Sequence, residues 1–186
     1  RCAVLTGAGG HYCVGGDLSS GWMAGGRDAT PSEHERRAQE DPALIARGLL
    51  LLDYLRVPVI AAVNGAAAGG GNELVVACDL AIAVESATFG QTGVRVGSAP
   101  VLGGTNFLAM TIGEKRAKEV AFMCRRYKAR EALELGWINA VVAEDQLEAE
   151  VTKWADELLA MSPRYLEIAK ISSNDWWNQS RDAYLS

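Results

Sequence analysis

A glycine triplet between a strand-like segment and a helix-like segment is the feature that most constrains the fold of this chain. The apolar run 57–63 precedes it, the apolar run 74–78 follows it, and the segment 64–73 between them reads NGAAAGGGNE. Glycine adopts backbone conformations that are closed to other residues. Backbone N–H groups at a helix N-terminus also attract negative charge. The pattern therefore predicts a tight turn that can stabilise a developing anion.

The carboxylate of Glu73 falls one turn inside the predicted helix. A carboxylate this close to a charge-stabilising backbone is suited to moving a proton in enolate chemistry. The same residue could instead face solvent and stabilise the first turn of the helix through the dipole. The sequence alone leaves both interpretations open.

The composition bounds the class of protein. The chain has 186 residues, of which 49% are hydrophobic and 22% charged, and it carries a net charge of −5. This length predicts one domain, residues 1–186, with a substantial core. The negative charge argues against nucleic acid as a partner, and no apolar run is long enough to span a bilayer. We expect neither a nucleic acid nor a membrane partner.

Cysteine and histidine residues show no spacing that is typical of a metal site or a disulfide framework. The two histidines are His11 and His34, and no pair of cysteines forms a C-x-x-C motif. We therefore expect no metal, and free thiols in a reducing, cytoplasmic compartment. The cysteines are Cys2, Cys13, Cys78 and Cys124.

The order of predicted elements indicates the fold class. The predicted strands are 1–6, 57–63, 79–84 and 138–142, with a short extended piece at 88–90. The predicted helices are 43–55, 70–78, 103–111, 114–124, 129–135 (closed by Gly136), 145–161 (capped by Asp145) and one that begins at Ser162-Pro163. A mobile polar loop is predicted over 19–42. Because strands alternate with helices, we predict an α/β fold with parallel strand pairing.

Six motifs in order carry a resemblance to a known family. They are GGD at 15–17, PVIAAVNG at 58–65, GGGNEL at 69–74, CDL at 78–80, FGQ at 89–91 and GGT at 103–105. Together they resemble the crotonase (enoyl-CoA hydratase/isomerase) superfamily over essentially the whole chain. The resemblance implies a ββα spiral with C-terminal helices, assembled as a homotrimer or homohexamer. Family members are longer, so we expect a fragment that lacks the first strands and the last helices.

The resemblance also implies a site. The substrate would be an acyl-CoA thioester, with no cofactor besides the coenzyme A that it carries. Its thioester oxygen would lie between the backbone N–H groups of Gly16 and Gly70, with Glu73 as the catalytic carboxylate. Asp17 is expected at the substrate, although its side chain could instead hold its own bend by bonding nearby backbone N–H groups. The expected substrate-binding residues are Val14, Gly15, Asp17, Leu18, Gly69, Gly93, Pro100 and Val101.

Three positions depart from the patterns of the family. The second glutamate of the hydratases would fall at Gly93, which argues against simple fatty enoyl-CoA hydration. Segment 89–98, FGQTGVRVGS, resembles the naphthoate synthase branch and its relative 2-ketocyclohexanecarboxyl-CoA hydrolase, although that branch has an aspartate at the position of Pro100. The run GSAP at 97–100 also resembles 6-oxocyclohexene-carbonyl-CoA hydrolases, which have an aspartate where Val101 stands.

The combination predicts a lyase or hydrolase that stabilises a thioester enolate with one carboxylate. The loss of a glutamate side chain at Gly93 opens space that a cyclic or bulky acyl group could fill. We therefore expect water addition, by hydration or hydrolytic ring opening, in the degradation of aromatic-derived acids. The alternatives are a naphthoate-synthase-like ring closure, a simple enoyl-CoA hydratase, and a non-catalytic scaffold that binds acyl-CoA.

Overall fold

The computed structural model describes residues 1–16, 52, 55–97 and 104–185, with side chains described as far as residue 174. The predicted loop 19–42 and nearly all of the predicted helix 43–55 lie outside these residues. The strands in the described part are β1 (Ala3–Thr6), β2 (His11–Cys13), β3 (Val59–Val63), β4 (Ala66–Ala68), β5 (Leu80–Val84), β6 (Thr88–Gly90), β7 (Tyr127–Lys128) and β8 (Ala140–Val142).

The helices of the same part follow the predicted order. They are α1 (Gly70–Ala77), α2 (Asn106–Ile112), α3 (Glu114–Met123), α4 (Ala129–Glu134), α5 (Leu147–Leu159) and α6 (Pro163–Leu185). Two 3₁₀ turns are also present: Gly93–Val96 follows β6, and Glu144–Gln146 lies between β8 and α5. None of the helices that the structure describes combines the length and the apolar character that a bilayer span requires.

The strands form two four-stranded sheets, which the chain visits in alternation from β1 to β6. The first sheet has the order β1-β3-β5-β8 and the second has the order β2-β4-β6-β7. All pairs are parallel except β6 with β7. Each successive β-β unit thus adds one strand to each sheet, and α1 follows the second unit. This arrangement confirms the predicted α/β class and the ββα spiral.

Strand β3 is one of the two inner strands of the first sheet. All five of its residues are buried, and it pairs with β1 on one side and β5 on the other. A continuous apolar run is expected for a parallel strand that is covered on both faces. The strand begins at Val59 rather than at the predicted residue 57, directly after Pro58, which has no N–H to donate to a ladder.

Asn64 connects the turns that follow β1 and β3. Its Nδ2 donates to the carbonyl oxygens of Gly7 and Gly9 at 3.0 and 2.9 Å, and its Oδ1 accepts from the N–H of Gly7 at 3.1 Å. One side chain therefore satisfies three backbone groups of the neighbouring turn. This fixes how successive turns of the spiral stack.

A buried ion pair attaches α6 to the first sheet. Lys170 is 8% exposed, and its Nζ donates to Asp79 Oδ2 at 2.6 Å and to the carbonyl oxygens of Leu52 and Val57 at 3.1 Å each. The same Asp79 oxygen accepts from the N–H of Val59 at 2.7 Å. Because an ammonium group has three donors, all of them are used here. The pair holds α6 against the starts of β3 and β5.

Several predicted details are wrong. The segment 64–69 was predicted as one turn, but it contains β4, and neither β2 nor β7 was predicted. Asp145 does not cap α5, because it lies inside the turn Glu144–Gln146 and the helix begins at Leu147 without a side-chain cap. The helix that was predicted from residue 103 begins at Asn106.

The cysteines are free, as expected. Cys124 is buried and the other three are half-buried. Cys78 lines a cavity of about 340 Å³ beside α6, and burial there raises the pKa of its thiol to about 12. The Cys78 thiol is therefore protonated at neutral pH. Within the ranges that the structure covers, no group of three or more His, Cys, Asp or Glu side chains could hold a metal ion.

Candidate active site

The turn before α1 has the tight geometry that its glycines predict. Gly69 is the N-cap of α1 and has a φ of 56°, a conformation that favours glycine. Its N–H donates to the carbonyl oxygen of Gly90 at 3.0 Å, and its own carbonyl oxygen accepts from the N–H of Glu73 at 3.1 Å. The turn is therefore fixed between the end of β6 and the first turn of α1.

A second glycine bend lies against this turn. Gly15 has a φ of +94°, and a methyl group added to it would lie 3.2 Å from the carbonyl oxygen of Ala68 and 3.5 Å from the nitrogen of Gly70. Gly16 follows directly, and a methyl group there would meet nothing within 4 Å. The fold thus brings together the two segments that contain Gly16 and Gly70. Their role as oxyanion donors stays a prediction.

The start of α1 also packs closely on β2. A methyl group added to Gly71 would lie 1.8 Å from the carbonyl oxygen of Cys13. That distance is far inside van der Waals contact, so only glycine fits at this position. At Gly70 the nearest atom, the Cα of Gly15, would be 3.9 Å away.

Replacing Gly71 with alanine is expected to destabilise the protein by about 3 kcal/mol, the upper end of the usual cost of overpacking, because backbone atoms must move. The matched variant Gly70→Ala places its methyl group in ordinary contact and should retain the melting temperature to within a few degrees. Thermal unfolding followed by circular dichroism compares the two. Equal melting temperatures would contradict the close packing of α1 on β2.

Glu73 is buried rather than solvent-facing. It is 5% exposed, and its Oε1 accepts from the backbone N–H of Gly104 at 3.0 Å. The solvent-facing interpretation is therefore wrong. The carboxylate lies in the first turn of α1, directly after the glycine turn, and the segment that leads into α2 contacts it.

The remaining expected binding residues are only partly described. Gly93 begins the 3₁₀ turn that follows Thr92, and Thr92 Oγ1 would lie 3.6 Å from a methyl group on Gly69. Gly93, where the resemblance places the second glutamate of the hydratases, is therefore next to Thr92, which borders the glycine turn. Val14 is 58% exposed. Asp17, Leu18, Pro100 and Val101 lie outside the described residues.

Two buried amides, in the segments that form and border the glycine turn, were not predicted as site residues. Asn72 and Gln91 are both 0% exposed, and they occur within the motifs GGGNEL and FGQ. Nor was the contact of Glu73 with Gly104 predicted. One signal in the sequence could have indicated these buried amides. Each is a polar side chain in a segment that is otherwise mostly glycine or apolar, and such a side chain tends to be buried together with its neighbours.

Comparison with known proteins identifies the family. The model of the enoyl-CoA hydratase/isomerase family matches residues 1–185. The chain belongs to this family. The match confirms the superfamily that the six motifs indicate.

Solved structures of enoyl-CoA hydratases agree with this assignment. The chain is 35% identical to the Bacillus anthracis enoyl-CoA hydratase, with a TM-score of 0.84, and covers 69% of it with 100% of its own length. Against enoyl-CoA hydratase subunit I of Geobacillus kaustophilus HTA426 the identity is 35% and the TM-score 0.81, over 94% of this chain and 64% of that one. The chain thus spans about two thirds of the length of these structures.

A third similar structure contains a ligand. A Thermobifida fusca YX protein, solved in complex with CoA, is 32% identical to this chain with a TM-score of 0.80, over 91% of this chain and 66% of that protein. The three matches confirm the crotonase α/β fold of the hydratase/isomerase family.

Proposed function

We propose that this chain belongs to an acyl-CoA enzyme of the enoyl-CoA hydratase/isomerase type. The observation that carries the proposal is the buried carboxylate of Glu73, which lies one turn from the glycine bend that meets Gly15. A carboxylate excluded from water beside a helix N-terminus is suited to proton transfer at an enolate. The CoA complex of the Thermobifida fusca YX protein supports a CoA thioester as the ligand.

In this proposal the N–H groups of Gly16 and Gly70 hold the thioester oxygen. The first N–H groups of an α-helix have no acceptor within the helix, and Gly70 is the first residue of α1. Donors aimed at a developing oxyanion each lower the barrier by about 3–4 kcal/mol in acyl-transfer enzymes. The contact between the Gly15 bend and Gly70 supports a joint role.

Glu73 takes the proton of the attacking water and returns it to the α-carbon. In hydration, the hydroxyl bonds to the β-carbon while the double-bond electrons form the enolate, which Glu73 then protonates. In hydrolytic ring opening, water adds to a ring ketone, the bond from this carbon to the α-carbon breaks, and its electrons form the enolate. In both proposed routes Glu73 is the carboxylate that moves the proton, and the glycine N–H groups are the oxyanion site.

We further propose that the acyl group is cyclic or bulky. Gly93 contributes no side chain where hydratases of the family have a second glutamate, and Pro100 and Val101 replace acidic residues of the related branches. The names of the Bacillus anthracis and Geobacillus kaustophilus proteins favour a simple enoyl-CoA hydratase as the second candidate. A naphthoate-synthase-like ring closure and a non-catalytic scaffold remain further alternatives.

Product analysis separates the ring-opening enzyme, the simple hydratase and the scaffold. The full-length protein is given 2-oxocyclohexanecarboxyl-CoA and, separately, crotonyl-CoA, and the products are identified by mass spectrometry and NMR. We expect ring opening of the first to a dicarboxylic monothioester. Hydration of crotonyl-CoA alone would contradict the cyclic substrate and favour the simple hydratase. Binding of both thioesters without turnover would favour the scaffold.

A further inference from the structure

Three amide side chains in the described part of the chain have buried polar atoms without a hydrogen-bond partner. Both amide atoms of Asn72, both of Gln91 and the Oδ1 of Asn106 are in this state. Buried polar groups in native proteins are almost always paired, because leaving one unpaired costs free energy. Amides that are retained at such a cost need an explanation other than packing.

Two of these residues are connected to Glu73 through short segments. Asn72 directly precedes Glu73 in the first turn of α1. Asn106 is the first residue of α2, two residues after Gly104, whose N–H donates to Glu73 Oε1. Both amides therefore lie on segments that meet at this carboxylate.

Gln91 lies on the opposite border of the same glycine turn. It stands between Gly90, whose carbonyl oxygen accepts from the N–H of Gly69 at 3.0 Å, and Thr92, whose Oγ1 would lie 3.6 Å from a methyl group on Gly69. The two residues that flank Gln91 thus both border Gly69, the N-cap of α1.

Gln91 follows directly after the last residue of β6, Gly90, where the strand is closely packed. The ring of Phe89 packs on Trp137 with a centroid distance of 5.7 Å, whereas a methyl group on Gly90 would meet the carbonyl oxygen of Arg125 at 2.7 Å. Successive residues of a strand point to opposite faces, so Phe89 and Gly90 are both held in place by close packing. Gln91 follows directly and is fully buried.

We propose that Asn72 and Gln91 are binding residues of the Glu73 site, and that their amides bind an oxygen atom of the ligand. The oxygen is either a second oxygen on the acyl group or the reacting water. An amide offers both N–H donors and a carbonyl acceptor, so it can pair with either. The inference rests on the proposed acyl-CoA function. The two amides would give the ligand polar contacts in addition to Glu73, at a site where Gly93 has no side chain to supply one.

Apolar replacements of similar shape separate this role from a structural one. In Asn72→Leu and Gln91→Met the unpaired polar atoms are removed, so the melting temperature should stay equal or rise by about 2–6 °C. A structural amide would give a fall instead. The control Gln146→Met changes an exposed glutamine at the start of α5, and should alter neither stability nor binding.

Binding of two matched thioesters then identifies the oxygen. Affinities for 2-oxocyclohexanecarboxyl-CoA and cyclohexanecarboxyl-CoA are measured by calorimetry in a Glu73→Gln background, in which turnover is expected to be slower by about 10²–10⁴-fold. A loss of at least tenfold in affinity for the oxo compound alone would assign the amides to an oxygen of the acyl group. Unchanged affinities, with a lower kcat and an unchanged KM when Glu73 is present, would assign them to the reacting water.

Two results would overturn the inference in distinguishable ways. If the unaltered protein binds both thioesters and neither replacement changes Kd or kcat, the amides have no binding role and the proposed function stands. If the unaltered protein binds neither thioester, the proposed function fails and the inference fails with it.

Discussion

Replacing Glu73 with glutamine is expected to lower kcat/KM by about 10²–10⁴-fold, the usual contribution of a positioned general acid or base. Glutamine keeps an oxygen that can accept from the N–H of Gly104, the contact that Glu73 Oε1 makes at 3.0 Å. The fold should therefore keep its stability while it loses the group that exchanges a proton. Steady-state kinetics on the substrate that product analysis identifies, together with thermal unfolding, tests both parts.

The matched control is Glu148→Gln, which removes the charge of an exposed glutamate on α5. It should leave kcat/KM unchanged. If Glu73→Gln has full activity, then Glu73 is not the acid or base, and its burial has a structural cause only. A similar loss in both variants would show that net charge, rather than this carboxylate, controls the rate.

Replacing Lys170 with methionine is expected to cost about 3–5 kcal/mol of stability, because it leaves the Asp79 carboxylate without its charged partner. The side chains of this pair are 6% and 22% exposed, so water screens them weakly. The variant also removes the donor to two backbone carbonyl oxygens. A fall in melting temperature of about 10 °C is expected for a chain of this size.

Two further variants make this prediction specific. Lys153→Met removes the ion pair between Lys153 and Glu150, whose atoms are 3.0 Å apart. Because the Lys153 side chain is 61% exposed, this surface pair should contribute little to stability. The double variant Lys170→Met/Asp79→Asn should recover part of the lost stability, because it also removes the unpaired charge while an oxygen remains for the N–H of Val59. A loss no greater than that of Lys153→Met would contradict the importance of the buried pair.

The elements that the sequence predicted well are those with a local signal. Strand β3 follows from a continuous apolar run, and the end of α4 follows from Gly136, which has a φ of +73°. Strands β2, β4 and β7 have only two or three residues each. Their conformation results from pairing with distant strands, which the local sequence does not encode. The cap of α5 was missed because Asp145 enters a 3₁₀ turn instead.

The same distinction applies to the candidate site. The glycine turn and Glu73 could be predicted because a tight bend demands glycine at adjacent positions. The burial of Asn72 and Gln91 and the contact from Gly104 arise only when α1, β6 and the segment before α2 pack together. The roles of Asp17, Leu18, Pro100 and Val101, the fragment boundaries and the trimeric or hexameric assembly stay predictions.

The spiral topology also constrains how the polypeptide reaches its native state. Ala3 of β1 pairs with Val59 of β3, and Ile82 of β5 pairs with Ala140 of β8. Each of these ladders joins residues more than fifty positions apart, and the entropy of closing such long loops slows folding. During synthesis, β1 emerges from the ribosome well before β3, the strand with which it pairs. Until β3 follows, the backbone of β1 can pair with other chains, and chaperones would protect it from doing so.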